Sequence, residues 1–392
     1  MRFTVLVAKG LEEAAAGELR GLNLAPRNLS PGALCFESPL EDACRAVLHL
    51  RSARRVLLNF GEFTAGDKEA YYESVLALPW EDVLTPEMTF AVEASVRDSF
   101  TGHSGYAALK AKDAIADRCR EKLGSRPGVS RDDPDMLVFV RLAQGHCSVG
   151  LDLAGAPLHK RGYREASVRG ALNETLAAGI LLLLGYDGER PFCDPFCGSG
   201  TFAVEAALMA ARVAPGLLSG RRFGFARWPG FNDREWRRIV KEAMALMRTP
   251  GFSIAASDID GSACKAARTN AAAAGVEPFI TVAQRDALDV SPPGENGLIA
   301  TNPPYGDHAG DGEDLPLLYK GFGDSLKKKW PGWTVAILGA NVSLLKAVGL
   351  HPARRIHLTN GPAEARLHVF ELYEGTKRKR LAETTTTGES DE

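Results

Sequence analysis

The sequence predicts an α/β protein in two parts, and three observations carry that prediction. Strand-like and helical segments mix irregularly through residue 153. From residue 191 onward, short apolar strands alternate with long helical segments, the pattern of a doubly wound parallel sheet. The last two strands are joined by NGPAEAR, too short for a helical crossover, so they should pair antiparallel.

Taken in order, residues 3–8 (FTVLVA) read as a strand, residues 11–22 carry helical spacing, and residues 32–37 (GALCFE) read as a second strand. Residues 55–63 and 89–96 follow as strands, then a Lys/Ala/Asp-rich helix over 107–123. Residues 136–142 and 147–153 flank a turn containing Gln-Gly-His and predict a hairpin. The expected result is a sheet with helices on one face. Beyond Gly155 a basic connector, LHKRGYREASVR, leads into a helix over 171–184. The later strands fall at 191–194, 253–258, 279–282, 297–301, 333–339, 355–359 and 367–373. Residues 376–392 have no apolar period and are expected to be disordered.

Composition narrows the class. Over 392 residues, 45% hydrophobic and 24% charged side chains exclude a collagen-like or wholly disordered chain. The strongest apolar run, LAAGILLLL, is far short of the ~18 residues that span a bilayer. The opening MRFTVLVAKGLEE lacks a signal-peptide pattern, so a cytoplasmic protein with no membrane partner is expected. Seven scattered cysteines without paired CxxC elements argue for reduced thiols and no metal site. The formal charge of −2 at first argues against a nucleic-acid partner. Resolved along the chain, however, residues 156–248 hold 14 Lys and Arg against 9 Asp and Glu, a net of +5.

The chemistry concentrates at strand ends. The strand ending at Asp194 runs into Asp-Pro-Phe-Cys-Gly-Ser-Gly-Thr201 and then an apolar helix. Gly198 and Gly200 let backbone approach a ligand where helix N–H groups are unpaired. Such a GxG loop serves NAD, flavin or S-adenosylmethionine; the third glycine of the dinucleotide fingerprint is Ala203 here, and the Asp-Pro-Phe-Cys prefix suits an amino acid plus nucleoside better. Asp258 closes the next strand and can accept ribose hydroxyls, whereas Asp260 should cap the following helix. Asp286 after the third strand can accept from an adenine amino group. The fourth strand delivers Asn302-Pro303-Pro304-Tyr305. Two prolines remove backbone donors and leave acceptors, to which the Asn302 oxygen adds another, while Tyr305 offers a stacking face. Acceptors converging on an exocyclic NH₂ would orient its nitrogen for displacement at a methyl sulfonium, with the proton lost afterward.

DPFCGSGT, the acidic strand ends and NPPY resemble the class I S-adenosylmethionine-dependent amino-methyltransferases. Upstream GLEE, LHLRSARRVLLNF, LPWEDVL, KAKDAIADRCRE and SVGLDLAGAPLHKRGYR, with downstream NGPAEARLHVFELYEG, resemble the THUMP-containing RNA guanine-N2-methyltransferases, the bacterial 23S rRNA branch above all. The resemblance covers nearly everything but the tail. It implies a ferredoxin-like segment (1–45), a THUMP RNA-binding domain (46–155), a basic connector and lead-in helix (156–190) and a Rossmann-like methyltransferase domain (191–375) with a seven-stranded, mostly parallel sheet and antiparallel last strand. It implies S-adenosylmethionine held by Asp194, Phe196, Cys197, Gly198, Gly200, Thr201, Asp258, Ile259, Asp286, Ala287 and Asn302, with Asn302, Pro303, Pro304 and Tyr305 holding the target amine. RNA is the implied partner, ribosomal RNA first and tRNA second. A non-catalytic RNA-binding assembly factor is the alternative from another class.

Two departures stand out. Phe196 replaces a usual Met or Leu, and the Asp194–Asp258 spacing is long. In some lineages a second methyltransferase domain follows; the sequence stops without one, so no second activity is expected. Lys160, Arg161 and Arg164 beside Tyr163, and Arg221, Arg222 and Arg227 in the long spacer, interleave cations with aromatics in a manner that suits RNA. Arg237, Arg238, Trp228, Phe231 and Trp236 belong to the same spacer, and its aromatics serve equally well as core.

Overall fold

The computed structural model describes residues 1–305, 314–361 and 363–373; the expected disorder of residues 376–392 lies outside them. The strands in chain order are β1 (Arg2–Val7), β2 (Arg27–Ser30), β3 (Ala33–Glu37), β4 (Ala53–Thr64), β5 (Thr89–Arg97), β6 (Gly128–Val129), β7 (Met136–Ala143), β8 (His146–Asp152), β9 (Phe192–Asp194), β10 (Ile254–Asp258), β11 (Ile280–Gln284), β12 (Leu298–Thr301), β13 (Thr334–Gly339), β14 (Arg354–Asn360) and β15 (Ala363–Glu371). The helices are α1 (Glu12–Gly21), α2 (Leu40–His49), α3 (Lys68–Leu76), α4 (Ser104–Leu123), α5 (Glu174–Leu183), α6 (Thr201–Ala210), α7 (Asp233–Ala245), α8 (Gly261–Ala273), α9 (Leu315–Lys329) and α10 (Val342–Ala347). Two compact units result. One is Met1–Arg161 with Ala214–Leu246; the other is Gly162–Val213 with the described residues from Met247 onward.

The first unit holds an eight-stranded sheet in the order β2-β3-β1-β4-β8-β7-β5-β6. Strand β4 is long enough to serve two neighbours: its first half pairs with β1 and its second half with β8, both antiparallel. The expected hairpin is β7 and β8, antiparallel, with Gln144 and Gly145 turning at positive φ. On α4 the buried Ala107, Ala111, Ala114, Ile115 and Cys119 form one stripe at helical spacing. Tyr71, Trp80 and Phe90 are fully buried, and the Tyr71 hydroxyl donates to the Ala107 carbonyl at 3.0 Å. At the sheet centre Arg55 pairs with fully buried Asp152 and with Glu93, its guanidinium 4.8 Å from the Phe139 ring centroid.

The spacer Ala214–Leu246 also belongs to this unit. In sequence it falls within residues 191–375, expected as the methyltransferase domain, while its contacts group it with the first unit. Its packing explains the difference: Ile239 and Ala243, one turn apart on α7, bury against Leu48 of α2, and Arg45 pairs with Glu242 at 2.8 Å. A Cβ on Gly224 would lie 3.0 Å from the Gly155 nitrogen and 3.1 Å from the Asp152 carbonyl oxygen, so only glycine lets the spacer lie this close to the chain after β8.

The second unit holds the seven-stranded sheet, in the order β11-β10-β9-β12-β13-β15-β14. β11, β10, β9, β12 and β13 are mutually parallel, and β15 is antiparallel to both β13 and β14. This is the expected Rossmann-like sheet. β9 and β12 sit centrally and are buried at every residue because both faces are covered. Phe322, Leu326 and Trp330 of α9 or its end pack with Trp333, Val335, Ile337 and Phe370 into the main core. Helix α5 starts at Glu174 rather than at the expected residue 171, because Asn173 accepts the Thr175 N–H at 3.1 Å and caps it.

Candidate active site

The strand order reverses between β9 and β12, and a ligand crevice is expected beyond the carboxyl ends of the strands there. A cleft of about 570 Å³ opens at that place. Asp194, Phe196, Cys197, Gly198 and Thr201 line it from the first loop, Asp258, Ile259, Asp286 and Ala287 from the next two, and Asn302, Pro303, Pro304 and Tyr305 from the fourth. Gly200 is the exception among the expected cofactor residues. It turns the chain at φ +81°, and a Cβ there would stand 2.9 Å from the Ala267 Cβ, so its role is to seat the loop on α8.

The carboxylates are individually placed. Asp194, 1% exposed, accepts from the Thr301 hydroxyl at 2.6 Å and from the Phe196 N–H at 3.3 Å. Burial raises its carboxyl to about 7, and the nearby Asp258 charge pushes the same way. Asp258 ties two loops together, accepting the Gly198 N–H at 2.9 Å on one oxygen and the Asp260 N–H at 3.0 Å on the other. Each oxygen keeps a further lone pair. Asp260 caps α8 as expected, accepting from the Ser262 N–H and hydroxyl at 2.8 and 2.7 Å. Asp286 accepts the Leu288 N–H at 2.9 Å. The Cys197 thiol is pushed up by burial, which keeps it protonated and unreactive.

Asn302 follows directly on β12. Its Oδ1 is buried and has no hydrogen-bond partner among the described residues. A buried acceptor left open costs free energy in the empty protein, on the order of 1–3 kcal/mol. Around it the motif is stiff: Pro303 and Pro304 fix φ, and the Pro304 carbonyl accepts the Tyr319 hydroxyl at 3.3 Å. Half-buried Tyr305 packs against the core built on Phe322, which also meets the Phe196 ring edge-on at 5.1 Å.

A further wall of the cleft was not foreseen. Residues 168–172 line it, together with Ser199, Phe202, Ala263, Asp314 and Leu318. Two polar clamps hold this wall. The Arg164 guanidinium reaches Glu174 at 2.6 Å, the Leu172 carbonyl at 2.8 Å and the Thr201 hydroxyl at 3.1 Å. Asn270, 1% exposed on α8, accepts the Glu165 and Ala166 N–H groups and donates to the Ala166 and Ser199 carbonyls, all within 3.0 Å. The one sequence signal was the basic connector standing immediately before the lead-in helix.

The basic residues expected to meet RNA have other partners. Arg164 is consumed by the clamp just described. Arg161, 3% exposed, donates to the Arg51 carbonyl at 2.6 Å. Arg221 is half-buried and donates weakly to the Ala156 carbonyl at 3.4 Å. Arg222 donates to the Ala226 carbonyl, and Arg227 reaches Asp133 at 2.7 Å and the Pro134 carbonyl at 3.0 Å. Arg237 pairs with Asp233, and Arg238 with Glu235 and Glu242. The physical reason is shared: loops and helix ends leave carbonyls open, and guanidinium groups satisfy several at once. Among the six, Lys160 alone is exposed without a side-chain partner among the described residues. The spacer's aromatics are core, Phe225 lying 5.4 Å from Phe223, 4.9 Å from Trp236 and 5.8 Å from Phe231 between ring centroids.

Comparison with known proteins bears on this geometry. Residues 161–368 match a family described as RMKL-like, methyltransferase domain, residues 65–152 match the THUMP domain, and residues 2–57 match the RlmL ferredoxin-like domain. The ribosomal RNA large subunit methyltransferase K/L of Allochromatium vinosum is 37% identical over 381 residues, covering 94% of this chain and 51% of that protein. The chain thus spans about half the length of the curated relatives it matches. Among solved structures, SMU.472, described as a methyltransferase and complexed with SAH, superposes with a TM-score of 0.84 at 28% identity, covering 96% of this chain and 99% of that one. A Listeria monocytogenes protein, described as a predicted N6-adenine-specific DNA methylase, gives 0.82 at 30% identity over 96% of each chain. The family match takes in more than half of the sequence, including every strand end that borders the cleft, and the chain belongs to the RMKL-like methyltransferase family.

Proposed function

We propose that the cleft binds S-adenosylmethionine and that the protein methylates the exocyclic N2 amine of a guanine in RNA, with large-subunit ribosomal RNA as the substrate. The observation that carries this reading is Asn302, which lines the cleft and whose buried Oδ1 acceptor has no partner among the described residues. When bound, S-adenosylmethionine supplies an electrophilic methyl group on a sulfonium. The residues present fit that group. Backbone at Gly198, before α6, accommodates close approach. The remaining lone pairs of Asp258 can take ribose hydroxyls, Asp286 can accept from an adenine amine, and Ile259, 64% exposed, offers apolar surface to the purine ring.

Asn302 Oδ1 accepts one N–H of the target amine and aims the nitrogen lone pair out of conjugation. The Pro303 carbonyl supplies a second acceptor, and the nitrogen sheds its proton after the new C–N bond has formed, so no strong base is required. Guanine N2 is buried in duplex, which calls for an unpaired or extruded base. The THUMP match and the names of the curated relatives support RNA, and ribosomal RNA in particular.

Asn302→Ala should abolish methyl transfer while S-adenosylmethionine binding, measured by calorimetry, survives; retained turnover would refute the assigned role. Nucleoside mass mapping of both RNA pools from a deletion strain chooses the substrate. Loss of N2-methylguanosine from large-subunit RNA is expected, and loss from tRNA alone would overturn that choice.

A further inference from the structure

We propose that the β14–β15 hairpin is an RNA-backbone surface on which Arg355, His357 and Arg366 hold phosphates of the strand carrying the target base. The inference rests on the RNA reading above. It starts from register: Arg355 stands opposite His368, and His357 opposite Arg366. Opposite residues share a face of a sheet, as do alternate residues along a strand, so all four lie on one face. Arg355 and His357 are exposed and Arg366 is half-buried.

None of the three forms an ion pair with a described residue. Glu364 lies on the same face two residues before Arg366 and pairs with neither arginine. The two guanidinium charges converge on buried His368, whose imidazole is held below its usual range first by burial and then by Arg355 and Arg366. The two arginines are diagonal neighbours on this face, near enough for their charges to repel, and no ion pair with a described residue compensates them. An outside anion would.

The position favours substrate. Arg366 also pairs in register with Gly339, the last residue of β13, which sets it at the sheet edge where the cleft opens. Two strand spacings, about 10 Å, separate its strand from β12, whose end carries Asn302. Edge strands often carry charge to prevent pairing with another sheet. That purpose needs no convergence of cations on the face beside a cleft. Arginine's planar fork matches phosphate oxygens, and Arg164 and Arg227 show how other forks of this protein are spent on carbonyls and carboxylates.

The test uses the full chain and protein-free large-subunit ribosomal RNA, with affinity measured over a range of salt concentrations. For Arg355→Ala with Arg366→Ala, affinity at low salt should fall about tenfold and the slope of log affinity against log salt by about 1.5. SAH affinity should be unchanged. The Arg355→Lys, Arg366→Lys protein should keep most of the slope, which separates lost charge from lost folding. An alanine pair with wild-type slope and affinity overturns the inference. Wild-type protein that binds no RNA overturns the RNA reading with it, so the two failures are distinguishable.

Discussion

The cleft and the spacer Ala214–Leu246 are both rich in polar side chains, and they treat them in opposite ways. In the spacer, Arg222 and Arg227 donate to carbonyls and carboxylates of their own unit, while Phe223, Phe225 and Trp236 close on one another. In the cleft, the Asn302 Oδ1 is buried and has no partner among the described residues. Most polar groups of the spacer are met in this way, because an unmet buried group costs free energy without return; the Arg221 Nε and Trp228 Nε1 are buried there without a partner among the described residues. A binding site leaves one unmet so that a ligand can meet it. The Asn302 oxygen differs from the unmet spacer atoms in belonging to a residue that lines a cleft.

The largest expected effect tests the scaffold side. Phe225 is fully buried within the spacer's aromatic cluster, so Phe225→Ala should cost about 3–5 kcal/mol in urea unfolding. A ring used for stacking on RNA bases would behave differently: the substitution would weaken RNA binding and leave the unfolding midpoint in place. Next comes the cleft wall. Arg164→Ala leaves the Glu174 carboxylate, 6% exposed, without its cation and frees residues 168–172, so about 2–3 kcal/mol of stability and a weaker hold on S-adenosylmethionine should go together. Arg164→Lys should recover little, since an ammonium cannot span Glu174, Leu172 and Thr201 at once. Loss of stability with cofactor affinity intact would show that the wall is rigid without its clamp.

What could be read from the sequence follows the same division. Asp194, Asp258 and Asn302 were legible because a parallel sheet brings its strand ends to one edge, so position along the chain nearly determines position in space. Asn270 was not. It lies inside an ordinary Ala-rich helix, and its four hydrogen bonds go to residues 165, 166 and 199, which no local pattern connects to it. The arginines misled for a related reason: composition shows a charge but not the carbonyl that absorbs it. Strand β2 was missed because its residues are exposed or half-buried and lack apolar alternation; it exists by pairing with β3 at a sheet edge.

An effect confined to high pH concerns the buried Asp194. Its carboxyl moves from 3.8 to about 7 on folding. Between those values the folded protein binds more protons than the unfolded chain, so stability falls as pH rises from about 4 to about 7, and the full penalty applies above that. Asp194→Asn keeps an acceptor for the Thr301 hydroxyl and removes the charge. The variant should therefore gain about 4 kcal/mol over wild type at pH 8 and come close to it near pH 4, measured by urea unfolding at both values. Equal stability at pH 8 would mean that the cleft already solvates the carboxylate.

The smallest effect returns to the spacer, at Arg227. Its side chain is 18% exposed, and its partner Asp133 is 77% exposed, so water already screens much of that pair. The carbonyl bond to Pro134 adds a second tie. Arg227→Ala should cost about 0.5–1 kcal/mol and leave the salt dependence of RNA binding where it was. The contrast with the β14–β15 arginines is then direct, because each of those should lower the slope by about 0.7–0.9. A comparable drop on removing Arg227 would mean that it exchanges Asp133 for a phosphate when RNA arrives. Its present partners would then be a resting arrangement, and the line between scaffold and binding surface would have to be moved to include it.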